Sequence, residues 1–178
     1  MNKTAIGIRP AQNDDLPALT ELAIRSFRMT YEAHNDPEVF NEYLSSTLTL
    51  ENLGKELVDT NNVFLIAHDR SSGSILGYAK LRQSIPGPGV EDRNAIEIER
   101  IYADPVRIGQ GIGAALMHAC LDASLQLGHD TIWLGVWKPN ERAIGFYEKW
   151  GFKIVGEYFF RMGTEKQQDF VMSRAVRP

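Results

Sequence analysis

The apolar positions of this chain change their period several times, and each change marks an element. Leu16, Leu19, Leu22, Ala23, Phe27 and Tyr31 recur every three or four residues, the spacing of one helix face. Asn13, Asp14 and Asp15 supply capping side chains ahead of them, which predicts a first helix over Asp14 to Thr30. Ile6 to Pro10, preceded by Thr4 and Ala5, reads as a short strand. Asn35-Asp36-Pro37 starts a second helix through Val39, Phe40, Tyr43 and Leu44, with proline at its first position, and a third is expected over Leu50 to Asp59. Val63 to His68 and Ile75 to Arg82 read as a hairpin around a turn at Arg70 to Ser74. Ile85 to Asn94, which contains Pro-Gly-Pro-Gly, is a surface loop.

The pattern then becomes sharper. From Ala95 the residues alternate, with Ile96, Ile98 and Arg100 on one side of a strand and Glu97, Glu99 and Ile101 on the other, until Pro105 stops it. Glycines follow at Gly109, Gly111 and Gly113, and a helical repeat then runs through Ile112, Leu116, Ala119, Cys120 and Leu127 to a stop at Gly128. Thr131 to Trp137 is a buried strand, Pro139-Asn140 opens a helix to Trp150, and Gly151 closes it. Phe152 to Arg161 and Gln168 to Arg174 complete the chain as antiparallel strands joined by a turn at Met162 to Lys166. This order predicts an α/β chain: a mixed α+β sheet of about seven strands flanked by helices, in one domain over residues 1–178.

A glycine-rich joint between a strand and a helix is an anion site. The first helical N–H groups have no intrahelical partner, the helix dipole places partial positive charge there, and glycine lets a phosphate approach the backbone. A nucleotide P-loop is excluded, because it needs Gly-Lys followed by Ser or Thr and Gly113 is followed by Ala114. A dinucleotide fingerprint needs an acidic residue at the end of the next strand, where this chain has Trp137 and Lys138.

Composition narrows the partners. A net charge of −4 and the absence of a basic recognition helix argue against nucleic acid and are compatible with a small cation. No apolar run approaches a membrane span and the start lacks the apolar centre of a signal peptide, so a cytoplasmic location and no membrane partner are expected. Cys120 is the only cysteine and sits on an apolar helix face, where a buried inert thiol is expected. His34, His68, His118 and His129 lack zinc-ligand spacing, so no metal is expected.

Two stretches carry a family resemblance. Gly111-Ile112-Gly113 fills the glycine end of the coenzyme A loop of the GNAT N-acetyltransferases, with Ile108 where that family has Gln or Arg and Arg107 one residue early. Asn140-Glu141-Arg142-Ala143, Phe146-Tyr147 and Gly151-Phe152 match the second pattern of the same family. Within it, the chain looks closest to the PaiA-like spermine and spermidine acetyltransferases, whose last hairpin carries a Met-Gly-x-x-x-Gln-x-Asp signature similar to Met162 to Asp169.

The resemblance implies the GNAT fold, acetyl-CoA as co-substrate and transfer of acetyl to a primary amine by direct attack on the thioester. It places the cofactor along Ile101, Tyr102 and Ala103, in the loop Ile108, Gly109, Gln110, Gly111, Ile112, Gly113 and Ala114, and beside Asn140, Tyr147 and Lys149. Arg107 and Lys149 are candidates for the coenzyme phosphates, and Asn140 is equally a helix cap. An alkylammonium must lose a proton before it attacks, so a carboxylate is needed nearby. Glu99 is preferred over Glu97 for that role, a backbone N–H near Ile101 for the oxyanion, and Tyr147 as the acid that protonates the departing thiolate. For a polyamine acceptor, Tyr31, His34, Glu97 and Glu99 are expected contacts, with Glu32, Glu91 and Asp92 as further acids. The alternatives are a peptide amino terminus, a protein lysine or an aminoglycoside as acceptor, or an acyl-CoA-binding regulator without chemistry. The oligomeric state is left open between monomer and homodimer.

Overall fold

A computed structural model describes residues 5–177, so Thr4 and the outermost ends of the expected domain lie outside the described residues. A sheet of seven strands runs in the order β1 (Ile6–Pro10), β2 (Asn62–Asp69), β3 (Ile75–Arg82), β4 (Ala95–Ala103), β5 (Thr131–Trp137), β7 (Glu165–Ala175) and β6 (Lys153–Met162). Neighbours are antiparallel except for β4 and β5, which are parallel because a helix crosses between them. The strand count and the mixed pairing agree with the sequence pattern.

Helices α1 (Leu16–Tyr31), α2 (Pro37–Thr47) and α3 (Leu50–Val58) cover one face, and α4 (Ile112–Gln126) and α5 (Glu141–Lys149) the other. Their starts are chemically marked. The Asp36 carboxylate accepts from the N–H groups of Glu38 and Val39 ahead of Pro37, and Thr49 Oγ1 accepts from Asn52 N–H. Asn13–Asp15 forms a separate short 3-10 turn, so α1 begins later than its capping residues suggest. Leu19, Leu22, Phe27, Phe40 and Leu53 pack against Phe64, Ile66 and Tyr78 on the first face. Ile112, Leu116, Met117 and Cys120 pack against Ile96, Ile98, Ile132 and Leu134 on the second. Cys120 is fully buried and its thiol is pushed up to about 12 by that burial, so it is an inert core residue. The final hairpin is tighter than its sequence suggests. Met162 pairs with Glu165, leaving Gly163 and Thr164 as the turn, with Gly163 in the left-handed region.

Candidate active site

The site exists because β4 and β5 separate. They pair only from Ala95–Thr131 to Ile98–Leu134. Beyond that point β4 stays with β3 as far as Gly77–Ala103, and β5 stays with β7 as far as Trp137–Asp169. A bulge lies at the point of divergence: Leu81 opposes Ile98 and Lys80 opposes Arg100, so Glu99 is an extra residue on β4. The bulge corrects the alternation expected from sequence. Past it, Ile101 and Ala103 join Ile96 and Ile98 on the α4 face, while Arg100 turns to the opposite face and pairs with Glu56 at 2.7 Å.

The opened edges enclose a cavity of about 450 Å³ lined by Glu99 to Ala103, Gly135 to Trp137, the glycine loop and Tyr147. Asp104 N–H donates to Leu76 O at 2.8 Å, and bonded pairs in an antiparallel ladder fall at every second residue. Tyr102 is therefore bonded to Tyr78, and Ile101 and Ala103 turn their backbone groups to the cavity. Of the three backbone positions expected to be open, Tyr102 is closed by this register.

At the outer end Gly109 and Gly111 both have φ near +86°, with Gly111 capping α4, and a Cβ on either would meet nothing within 4 Å. The first bond of α4 runs from Ala115 N–H to Gly111 O, so the N–H groups of Ile112, Gly113 and Ala114 have no intrahelical partner. Ile108, Gly109 and Gly111 to Ala114 face the cavity; Gln110 is not part of its wall, and its N–H is bonded back to Arg107 O. The shape and donors of this cradle fit a pyrophosphate. Arg107 lines the same end, joined by Arg142, which is not among the expected phosphate contacts. Lys149 does not line it: it lies exposed in the last turn of α5, whereas Arg142 is in the first, about 10 Å nearer the cavity along the axis. Asn140 both lines the cavity and caps α5, its Oδ1 accepting from Ala143 N–H at 3.2 Å.

Tyr147 reaches the inner end. Its ring is wedged edge-on between Phe146 and Phe152, with centroids 5.5 and 5.9 Å away, and is only 8% exposed. Burial holds its phenol well above the ordinary tyrosine range, which keeps it protonated and able to donate.

A second cavity, of about 300 Å³, opens on the α1–α2 face and shares Tyr31, Glu99, Arg100, Tyr102 and Gly135 with the first. The two thus adjoin at the split in the sheet, with these residues as their common wall. Its walls are largely aromatic, including Phe27, Tyr31, Tyr43, Trp133 and Tyr158. The Tyr158 ring lies across β5 at Gly135, where a Cβ would come within 2.2 Å of its hydroxyl oxygen.

The acids of this second cavity are not equivalent. Glu97 accepts from Arg82 Nε at 3.0 Å, Arg82 Nη2 at 2.8 Å and Ser84 Oγ at 2.8 Å. Glu99 accepts from Arg82 Nη1 at 2.9 Å, and its other oxygen pairs with the buried Lys80. Lys80 and Arg100 also hold Glu56, so three carboxylates face three cations. Glu99 Oε2 makes no hydrogen bond but lies against the Lys80 ammonium, so both Glu99 oxygens are beside a cation and the carboxylate is a poor proton acceptor. Asp169 differs: it is 6% exposed, has no ion pair among the described residues, and its Oδ1 has no hydrogen-bond partner. It is not among the expected site residues, although the sequence signature Gln167-x-Asp169 points to the place. Of the other expected acceptor contacts, Tyr31 joins both cavities. His34 packs on the Trp137 ring at 4.8 Å outside both, and neither wall includes Glu32, Glu91 or Asp92.

Among the described residues no helix is long and apolar enough to cross a membrane. The family model described as "Acetyltransferase (GNAT) family" matches residues 16–152. An uncharacterized N-acetyltransferase of Mycobacterium tuberculosis is 34% identical over 162 residues, covering 91% of this chain and 98% of the relative. Among solved structures, the PaiA N-acetyltransferase of Thermoplasma acidophilum in complex with coenzyme A aligns with a TM-score of 0.76 at 24% identity, over 96% of this chain and 99% of that one. The spermidine N-acetyltransferase of Vibrio cholerae, in complex with CoA and spermine, aligns with a TM-score of 0.71 at 21% identity, over 96% and 95%. With a divided sheet, an amide-lined cradle and a family match over most of its length, the chain belongs to the GNAT family and is an acetyl-CoA-dependent N-acetyltransferase.

Proposed function

We propose that this chain transfers acetyl from acetyl-CoA to a primary amine entering through the aromatic cavity, with a linear polyamine such as spermidine or spermine as the first acceptor class. The observation that carries this reading is that the two cavities adjoin at the split between β4 and β5 and share wall residues there. One can hold a coenzyme along open strand edges, the other presents aromatic faces to a cation, and they meet beside Tyr31, Tyr102 and Gly135.

In this reading the N–H groups of Ile112, Gly113 and Ala114 hold the pyrophosphate, with Arg107 and Arg142 beside it. Ile101 and Ala103 bond to the pantetheine arm like an added strand, and Asn140 flanks it. The amine attacks the thioester carbonyl, Ile101 N–H receives the oxyanion, and Tyr147 protonates the departing thiolate.

A second reading of the acceptor draws on the ion pairs. Glu97 and Glu99 are already neutralised by Arg82 and Lys80, which leaves one carboxylate for a cation. That balance favours an amine with a single charge, such as the amino terminus of a peptide. A panel of spermidine, spermine, phenethylamine and an alanyl peptide, assayed for free thiol released from acetyl-CoA, separates the two. No release with either polyamine but release with the peptide removes the first acceptor class. Release with none of the amines, while calorimetry shows coenzyme binding, leaves the regulator reading in its place.

A further inference from the structure

Within the acceptor cavity, Asp169 is the carboxylate that no cation among the described residues neutralises. It lies on β7 opposite Trp137 of β5 and Tyr158 of β6, two strands away from the strand that carries Glu99. We infer that Asp169 receives the acceptor's ammonium group and takes its proton, while Glu99 holds the bulge of β4 in shape through Lys80 and Arg82. This inference rests on the transferase reading above.

The physical reason is a difference in surroundings. A carboxylate whose oxygens are already held by an arginine and a lysine has little left to offer an incoming ammonium. A buried carboxylate with an empty oxygen gains most from the same ligand, because nothing else compensates the loss of its hydration. The hydroxyl of Tyr158 from β6 is beside Asp169, and Tyr31 from α1 and Tyr102 from β4 line the same cavity. Glu97 of β4 and Arg82 of β3 also line this cavity. Tyr31 and Tyr102 line both the cavity that contains Asp169 and the one that contains Tyr147.

The protons balance. The ammonium gives one proton to the Asp169 carboxylate, and the nitrogen lone pair forms the C–N bond at the thioester carbonyl. When the C–S bond breaks, the thiolate takes the Tyr147 proton, and the proton shed by the newly bonded nitrogen restores the phenol. Asp169 then releases its proton to solvent, so one proton leaves per amide formed. Burial raises the Asp169 carboxyl to about 6, partly offset by the Tyr158 hydroxyl. It is thus ionised at neutral pH yet a better proton acceptor than an exposed aspartate.

The test compares wild type, Asp169→Asn and Glu99→Gln on the same amine panel between pH 5 and 9, with coenzyme affinity measured by calorimetry and folding checked by thermal melts at pH 8. Wild type should show an acidic limb in kcat/KM near pH 6. Asp169→Asn should lose that limb and fall at least ~100-fold in kcat at unchanged coenzyme affinity, whereas Glu99→Gln keeps the limb. An Asp169→Asn enzyme that turns over at a wild-type rate with the limb intact, or a Glu99→Gln enzyme that alone loses it, overturns the assignment and leaves the transferase reading standing. Failure of wild type to acetylate any amine of the panel overturns both.

Discussion

Replacing Asp169 by asparagine should stabilise the free protein by an amount that grows as pH rises from the unfolded carboxyl value of 3.8 and is complete above about 6. Burial raises this group from 3.8 to about 6, so above pH 6 the folded state carries a charge that the unfolded chain solvates better. At about 1.4 kcal/mol per tenfold change in proton affinity this costs about 3 kcal/mol, which contact with cavity water reduces to about 2. The sign follows from the raised value. Wild type is free of the penalty below the unfolded value of 3.8 and acquires it as pH rises through about 6. The amide of the Asp169→Asn variant carries no such charge at any pH. Urea unfolding of both proteins at pH 8, 6 and 4, at fixed ionic strength, gives the stability difference directly. The quantity of interest is its change with pH, because any pH-independent effect of the amide cancels. We expect Asp169→Asn to gain about 2 kcal/mol at pH 8 relative to pH 4, or roughly 4–8 °C in melting temperature. A difference constant across the range would show that Asp169 is solvated or paired, and would refute the account of its burial.

Tyr147→Phe removes the proposed acid but keeps the ring between Phe146 and Phe152, so thermal melts should be unchanged while kcat drops at least ~100-fold. Gly111→Val forces a branched side chain into a backbone at φ +86°, which should cost about 1–2 kcal/mol in a denaturant titration and weaken coenzyme binding by calorimetry. Lys80→Met leaves Glu56 and Glu99 with one cation fewer in a buried network, and should lower unfolding free energy by about 3–5 kcal/mol at pH 7.

The parts of the site that are readable in the sequence are those fixed by local chemistry. Glycine at Gly109 and Gly111 serves a left-handed backbone, Asn140 caps a helix, and Phe146 and Tyr147 follow at a set distance along it. These depend on neighbours within a few residues, so spacing alone reveals them. The acceptor side depends on strands distant in sequence. The alternating run from Ile96 to Ile101 gives no sign that Glu99 is inserted as a bulge, and so no sign that Ile101 and Arg100 exchange faces. Glu97 and Glu99 read as available in the sequence because their partners, Lys80 and Arg82, lie on another strand and oppose them only through that register. Asp169 is hidden for the converse reason. Its isolation results from the β5-β7-β6 order and from Tyr158 lying over Gly135, which no local pattern encodes. Charge alone does not distinguish Lys149 from Arg142 as a phosphate contact, and helix rise separates them.

In the proposed mechanism a coenzyme lying in the opened strand edges delivers its thioester to the place where the two cavities meet. A crystal structure with coenzyme A tests it most directly. Pyrophosphate oxygens are expected on the N–H groups of Ile112 to Ala114, with the sulfur in van der Waals contact, about 4 Å, with the Tyr147 hydroxyl. Coenzyme bound elsewhere, or a sulfur pointing away from Tyr147 and Gly135, would contradict it.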